Sequence, residues 1–146
     1  MEKAKQSAEV THNHPEGVKG AQAIAAAIFF AKNKRRKDEI KRYMVEHFGY
    51  DMNRKIDAIR PGYSFDVSCQ GSVPEAILAF LESTDYESAI RLAVSLGGDS
   101  DTIACMAGGI AAAYYQNIPV EILQKVIEIL PDEFLKLIVE FDQFLD

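Results

Sequence analysis

Two stretches of this chain run at helical length without a polar face: residues 21–31 read AQAIAAAIFFA and residues 103–115 read IACMAGGIAAAYY. Such stretches predict helices buried on nearly every side, unlike a surface helix with one wet face. Small residues recur in both. Ala21, Ala25 and Ala26 resemble Ala107, Gly108 and Ala111 in size, which permits close contact and makes the two helices the expected centre of a bundle. The first of them follows a polar loop over residues 11–20, THNHPEGVKG, punctuated by Pro15, Gly17 and Gly20.

The remaining elements are more amphipathic. A polar helix is expected over residues 38–48, with Gly49 where a C-cap glycine would end it. Arg60-Pro61-Gly62 marks a turn. Ser72-Val73-Pro74-Glu75 has capping-box spacing with proline in the first turn and predicts a helix through Leu81. Thr84-Asp85-Tyr86-Glu87 repeats the signal and predicts another through about Val94, while Pro119 and Pro131 open the last two. In the final helix Phe134, Leu137, Ile138, Phe141 and Leu145 recur at helical spacing. Core packing is the expected use of that stripe, over a partner-binding face. Strand signals are scarce, so the pattern predicts one all-α domain over residues 1–146, a compact multi-helix bundle without internal repeats.

Composition narrows the function classes. With 48% hydrophobic and 26% charged residues the chain is an ordinary globular protein, and its net charge of -6 argues against general affinity for nucleic acid. The basic run KNKRRKDEIKR over residues 32–42 is interrupted by Asp38 and Glu39 and reads as a solvated helix end. Cys69 and Cys105 imply no disulfide framework, and Cys105 is expected to act as a small hydrophobe inside its helix. No signal peptide is visible and no apolar run reaches the ~20 residues that span a bilayer, so the expectation is a cytoplasmic protein with no membrane partner.

The densest chemistry lies at Gly97-Gly98-Asp99-Ser100-Asp101-Thr102, the mouth of the second apolar helix. Burying Asp99 and Asp101 together would raise their pKa values and make them repel unless a cation neutralises both. A hard ion such as Mg²⁺, Mn²⁺ or Ca²⁺ suits oxygen-only donors better than zinc does, and Gly97 and Gly98 let an anionic ligand approach. The alternative is a plain N-cap at Asp99. A cap needs only one such residue, whereas four oxygen-bearing side chains stand here in a row. An EF-hand fails on spacing, because Ile103 and Ala104 fall where that loop needs an oxygen ligand and a glycine.

A second polar cluster, Thr11-His12-Asn13-His14-Pro15-Glu16-Gly17, precedes the first apolar helix. Helix N-termini attract anions, so His12 or His14 is a candidate donor to a phosphate; the alternative is that both imidazoles only cap a loop. Zinc is a weaker reading, since no HExxH motif and no cysteine cluster completes a ligand set.

Taken in order, THNHPEGVKGAQA, CQGSVPEAILAFL and GGDSDTIACMAGGIAAAYY resemble the ADP-ribosylglycohydrolase family over essentially the whole chain. The resemblance implies an all-α fold, here like the C-terminal half of the family's fold. It also implies a binuclear Mg²⁺ or Mn²⁺ centre that helps cleave the bond between ADP-ribose and an acceptor, often a protein side chain. By motif, Asp99, Asp101 and Thr102 match metal ligands, and His12 matches a histidine contacting ADP-ribose. Asp66, Val67 and Ser68 match a loop lining the same cleft, and Gly97, Gly98 and Ser100 are expected beside the ligand.

The sequence departs from the family in beginning where the family's second half begins. The family's earlier Thr-Asp-Asp-type run is not visible, and no Asp-Asp pair occurs. The pairs Asp38-Glu39 and Asp132-Glu133 start predicted amphipathic helices and read as dipole complements. The expectation is therefore a fragment or one half of a split hydrolase, inactive alone. Its partners would be ADP-ribose or an ADP-ribosylated substrate, and a second copy or a complementary N-terminal-half chain. The alternatives are a non-catalytic ADP-ribose or nucleotide-binding module and a helical oligomerisation scaffold.

Overall fold

The computed structural model describes residues 1–145, with side chains through residue 144, as α-helices and one 3₁₀ turn. The helices are α1 (Glu2–Glu9), α2 (Pro15–Lys32), α3 (Lys37–Phe48), α4 (Ile56–Ile59), α5 (Cys69–Glu82), α6 (Tyr86–Ser95), α7 (Ser100–Tyr115), α8 (Val120–Ile129) and α9 (Asp132–Leu145), with the 3₁₀ turn at Arg60–Gly62. Among the described residues there is no strand, and the all-α expectation holds. No helix among the described residues is long and apolar enough to cross a membrane.

Several boundaries differ from the sequence expectation, each for a local reason. Helix α2 begins at Pro15 rather than at Ala21: proline fits the first helical position, and His14 caps it by accepting the Glu16 N–H at 3.2 Å. Helix α5 begins at Cys69, because Ser68 rather than Ser72 accepts the Gly71 N–H, at 3.1 Å. Ser72, Pro74 and Glu75 thus lie inside the helix and are buried, the proline removing one hydrogen bond of its second turn. In α6 the cap is Asp85, not Thr84; its carboxylate accepts the Ser88 N–H at 2.7 Å while the Ser88 hydroxyl accepts the Asp85 N–H. Gly49 ends α3 in the left-handed conformation, as its position predicts.

Helices α2, α5, α6 and α7 form the body of the fold, with α7 packed against the other three. Ala23, Ala27 and Ala31 of α2 and Ala107, Ile110 and Ala111 of α7 are fully buried. Of the small residues that marked the two helices, Ala26, Ala107, Gly108 and Ala111 are buried but Ala21 and Ala25 only half so, and α5, buried from Ser72 through Phe80, shares the centre. Gly20 permits the close approach of α2 to α5: a Cβ there would lie 3.1 Å from Val73 Cγ2 and 3.2 Å from Cys69 Cβ. Burial is less complete than the uncharged sequence suggests. Asp101, Thr102, Cys105 and Gly109 are all exposed along one flank of α7, so Cys105 is not a core residue. The apolar stripe of α9 is not core either: Phe134, Leu137, Ile138 and Phe141 are exposed, and the Leu145 side chain lies outside the described residues. Periodicity specifies that a helix has an apolar face and is silent on what covers it.

One long-range contact ties three helices at the far end of α5. The Lys37 ammonium of α3 donates to the carbonyls of Phe80 at 2.8 Å and Leu81 at 3.3 Å and to the Tyr115 hydroxyl at 2.9 Å. It also sits 4.8 Å from the centre of the Phe80 ring. Lys37 thereby satisfies carbonyls that a helix C-terminus leaves open. Substituting Lys37→Met leaves the Phe80 carbonyl to Ser83 but removes the Lys37 bond from the Leu81 carbonyl and the Tyr115 hydroxyl, and thermal unfolding is expected to show a loss of roughly 2 kcal/mol near neutral pH. Burial pushes the Lys37 pKa down to about 8 from its ordinary 10.5, so between those values the unfolded chain binds more protons and stability rises with pH. The difference in Tm between wild type and Lys37→Met should therefore widen across that window; a constant difference would mean that the ammonium is not desolvated.

Candidate functional site

The N-terminal ends of α2, α5 and α7 gather at one end of the bundle. Between the first two lies an open cleft of about 410 Å³, lined on the α2 side by Thr11, His12, His14 and Glu16 and on the α5 side by Ser68 and Gln70. His12 is exposed at its edge, with Nδ1 2.8 Å from the Thr11 hydroxyl. His14 is committed to the cap of α2. A larger, apolar groove of about 580 Å³ continues from His12 between α1 and α2 to Ile28 and Met106.

The loop before α5 carries the second set of candidate residues. Asp66 accepts the Ser68 N–H at 2.7 Å, and its carboxylate fills the space that a side chain at Gly71 would need. The hydrogen bonds from the Ser68 backbone and hydroxyl hold the Asp66 carboxyl below the usual carboxylate range. Val67 is exposed.

Tyr63 joins this loop to the mouth of α7. Its hydroxyl donates to the Gly71 carbonyl at 2.8 Å, and its ring covers Gly98, where a Cβ would come within 2.9 Å. Burial first, then the charges of Glu75, Asp66 and Asp99, push the Tyr63 pKa up. Sequence reasoning missed Tyr63 and Gly71. Their only signal is proximity to Asp66 in the run YSFDVSCQG, and their role appears only when the loop folds against two helix ends.

Gly97 and Gly98 both have positive φ, 75° and 62°, which L side chains rarely adopt. They deliver Asp99 to the N-cap position of α7, yet its side chain makes no capping hydrogen bond. The Asp99 and Asp101 carboxyls instead lie within hydrogen-bonding reach of each other. That contact, followed by the backbone N–H groups of Asp101 and Thr102, holds the Asp101 carboxyl below its ordinary value. The direction is opposite to the rise expected for a buried pair, because Asp99 is only half-buried and Asp101 is exposed.

The folded chain thus brings Asp66, Gly98 and Asp99 near Tyr63, with His12 lining the cleft at the start of α5, while Asp101 and Thr102 are exposed on α7. It does not gather a closed metal cage: among the described residues no group of three or more His, Cys, Asp and Glu side chains is placed to hold an ion. Asp99, Asp101 and Thr102 carry oxygens of the kind a hard cation takes, a partial shell at most because all three come from the start of one helix.

The sequence model of ADP-ribosylglycohydrolase matches residues 1–143. The chain belongs to the ADP-ribosylglycohydrolase family. An ADP-ribosylarginine hydrolase of Pseudomonas putida is 33% identical over 129 residues, 80% of this chain and 33% of that protein. An uncharacterized protein of Archaeoglobus fulgidus is 28% identical over 145 residues, 89% of this chain and 46% of its own length. A human ADP-ribosylhydrolase is 47% identical over 55 residues, 30% of this chain and 15% of that protein. The chain spans less than half the length of these relatives. ADP-ribosylglycohydrolases are generally metal-dependent, in keeping with the partial oxygen shell.

The left-handed turn at Gly98, pressed against Tyr63 and the Ser64 carbonyl, is what carries the chain into Asp99 at the start of α7. Gly98→Ala is expected to destabilise the fold by about 1–3 kcal/mol, measurable by denaturant unfolding. A neutral effect would mean that this turn does not fix the mouth of α7.

Proposed function

We propose that this chain forms the ADP-ribose-binding face of a metal-dependent hydrolase that releases ADP-ribose from an acceptor. The single observation that carries the reading is the cleft between the N-terminal ends of α2 and α5, tied through Tyr63 to the start of α7 where Asp99 and Asp101 stand. Helix N-termini favour phosphate oxygens, and the His12 imidazole at the cleft's edge is free to donate to one. Gly97 and Gly98 leave the backbone open to a ribose or phosphate, while the Ser68 and Ser100 hydroxyls offer further hydrogen bonds. Asp99, Asp101 and Thr102 would hold Mg²⁺ or Mn²⁺, which when bound supplies charge neutralisation and polarisation beside the ribose.

Proton transfer at the scissile bond needs an acidic group with freedom to exchange a proton. Asp66 is engaged by Ser68, and Glu75 is buried against Arg54 at 2.7 Å. The reading therefore has this chain bind alone and turn over only with acidic groups supplied by a partner, the complementary portion of the family fold. The name of the Pseudomonas relative makes ADP-ribosylarginine the first acceptor to test. A cytoplasmic setting suits the two free thiols, Cys69 and Cys105. A non-catalytic ADP-ribose-binding module is the second reading, favoured by the one-sided oxygen shell.

Calorimetric titration with Mn²⁺ or Mg²⁺ is expected to give heat in the wild type and none in an Asp99→Ala, Asp101→Ala double variant. Identical titrations would remove the metal assignment. For ADP-ribose, His12→Ala should weaken binding by about tenfold or more, the scale of one charge-assisted hydrogen bond, and by more than His14→Ala does. Equal affinities in all three proteins would sink the assignment of His12. Release of ADP-ribose from ADP-ribosylarginine by the purified chain without a partner would overturn the binding-only part.

A further inference from the structure

Cys69 stands where two cavities of the fold meet. It is the first residue of α5, half-buried, and it lines both the cleft of about 410 Å³ beside His12 and the apolar groove of about 580 Å³ along α2. Gly20 leaves the sulfur room on the α2 side, where a Cβ would lie 3.5 Å from Sγ. The positive end of a helix favours an anionic sulfur, and a helix N-terminus open to a cavity is a setting in which thiols react. A second group at the same place has no structural employment. The Tyr50 ring packs under the Lys19 ammonium at 4.8 Å, and Lys19 pairs with Glu16 at 3.6 Å. This puts the ring against the turn of α2 that carries Glu16, Lys19 and Gly20 and meets Cys69. Tyr50 is only 7% exposed, and its hydroxyl has no hydrogen-bond partner among the described residues. Buried hydroxyls are nearly always partnered, because an orphan costs stability. Burial first, then the charges of Glu16 and Cys69, push the Tyr50 pKa up to about 12, so the phenol stays protonated as a donor beside them. Glu16 already has Lys19, whereas Cys69 is a free thiol.

We propose that Cys69 is an oxidation site, at which a hydroperoxide converts the thiol to a sulfenic acid while the Tyr50 hydroxyl donates the hydrogen bond that steadies the anionic sulfur. The thiol first gives up its proton to water. Its sulfur then attacks one oxygen of the peroxide, and the S–O bond forms as the O–O bond breaks. The sulfur loses an electron pair to the peroxide, whose second oxygen leaves as hydroxide and takes up the released proton. Cys105 lacks this setting: it is exposed in the second turn of α7, away from the helix N-terminus and from Tyr50. An oxygen added to Cys69 stands at the junction of cleft and groove, so oxidation alters the space beside His12. The inference concerns the thiol alone and does not depend on the hydrolase reading.

The test exposes the whole, reduced chain to hydrogen peroxide in the presence of dimedone, which traps sulfenic acids, and reads each cysteine by peptide mass spectrometry. Cys69 should be captured about tenfold faster than Cys105, although Cys105 is the more exposed thiol. Tyr50→Phe should remove about that factor at Cys69, the scale of one hydrogen bond to an anion, and leave the rate at Cys105 unchanged. The variant deletes an oxygen that has no partner, so thermal unfolding should show the fold kept. Should it unfold instead, the ratio of the two cysteines in the wild type decides alone. Capture at Cys105 as fast as at Cys69, or faster, overturns the proposal. So does a folded Tyr50→Phe chain in which Cys69 reacts as in the wild type.

Discussion

Everything at the site depends on the close approach of α2 and α5, whose N-terminal ends line one cleft, and on Tyr63, which ties the start of α7 to the start of α5. Helices with ordinary side chains at their contact keep their axes about 8–10 Å apart, and each N-terminus carries roughly half a positive charge that repels its neighbours. Gly20 removes the first obstacle by letting α2 meet Cys69 and Val73 of α5 directly. The second is offset by acidic groups at each end: Glu16 in the first turn of α2, Asp66 before α5, and Asp99 and Asp101 at α7. A region with concentrated backbone N–H groups and concentrated carboxylates suits both halves of a phosphate-and-cation ligand. Neither feature alone would select it.

The carboxylates of the chain differ in what they are already doing, and that difference separates scaffold from site. Asp85 and Asp66 are each satisfied by a backbone N–H, and both are held below their ordinary range by that bond. Glu75 and Glu82 reach from α5 to the segment before it, one pairing with Arg54 and the other accepting the Ile56 N–H at 3.0 Å. These groups fix the path of the chain that delivers Tyr63 and Asp66 to the cleft. Asp99 makes no capping hydrogen bond, and Asp101 is held by Asp99 and by the backbone N–H groups of its own first turn, so neither carboxylate fixes the path of the chain.

Local chemistry was legible in the sequence wherever one residue type has one use. Gly49 ended its helix and small residues marked α2 and α7 as central, whereas Gly97 and Gly98, expected only to let a ligand approach, prove also to make a left-handed turn. Caps were less legible, because Ser68 and Ser72, or Thr84 and Asp85, offer the same oxygen within a few residues, and tertiary packing chooses between them. Helix α1 carries no buried residue and gave no apolar pattern from which to infer it. Tyr63 was invisible for a different reason. Its importance comes from Gly71 and Gly98, one eight residues away and the other in the loop between α6 and α7, and no spacing rule encodes that meeting.

The chain spends its apolar residues in two unlike ways. In α2 and α7 they are mostly alanine, and each buries little area, so cohesion there comes from close backbone approach and dense packing. The large side chains that would gain most from burial, the leucines, isoleucines and phenylalanines of α8 and α9, are the ones left in water. Adding a large side chain to the α2–α5 contact would force the helices apart and open the cleft. Removing one from α8 or α9 disturbs nothing within the body of the fold. The rigid part of the molecule is thus the part that positions the site, and most of the unspent hydrophobic free energy lies in helices outside it.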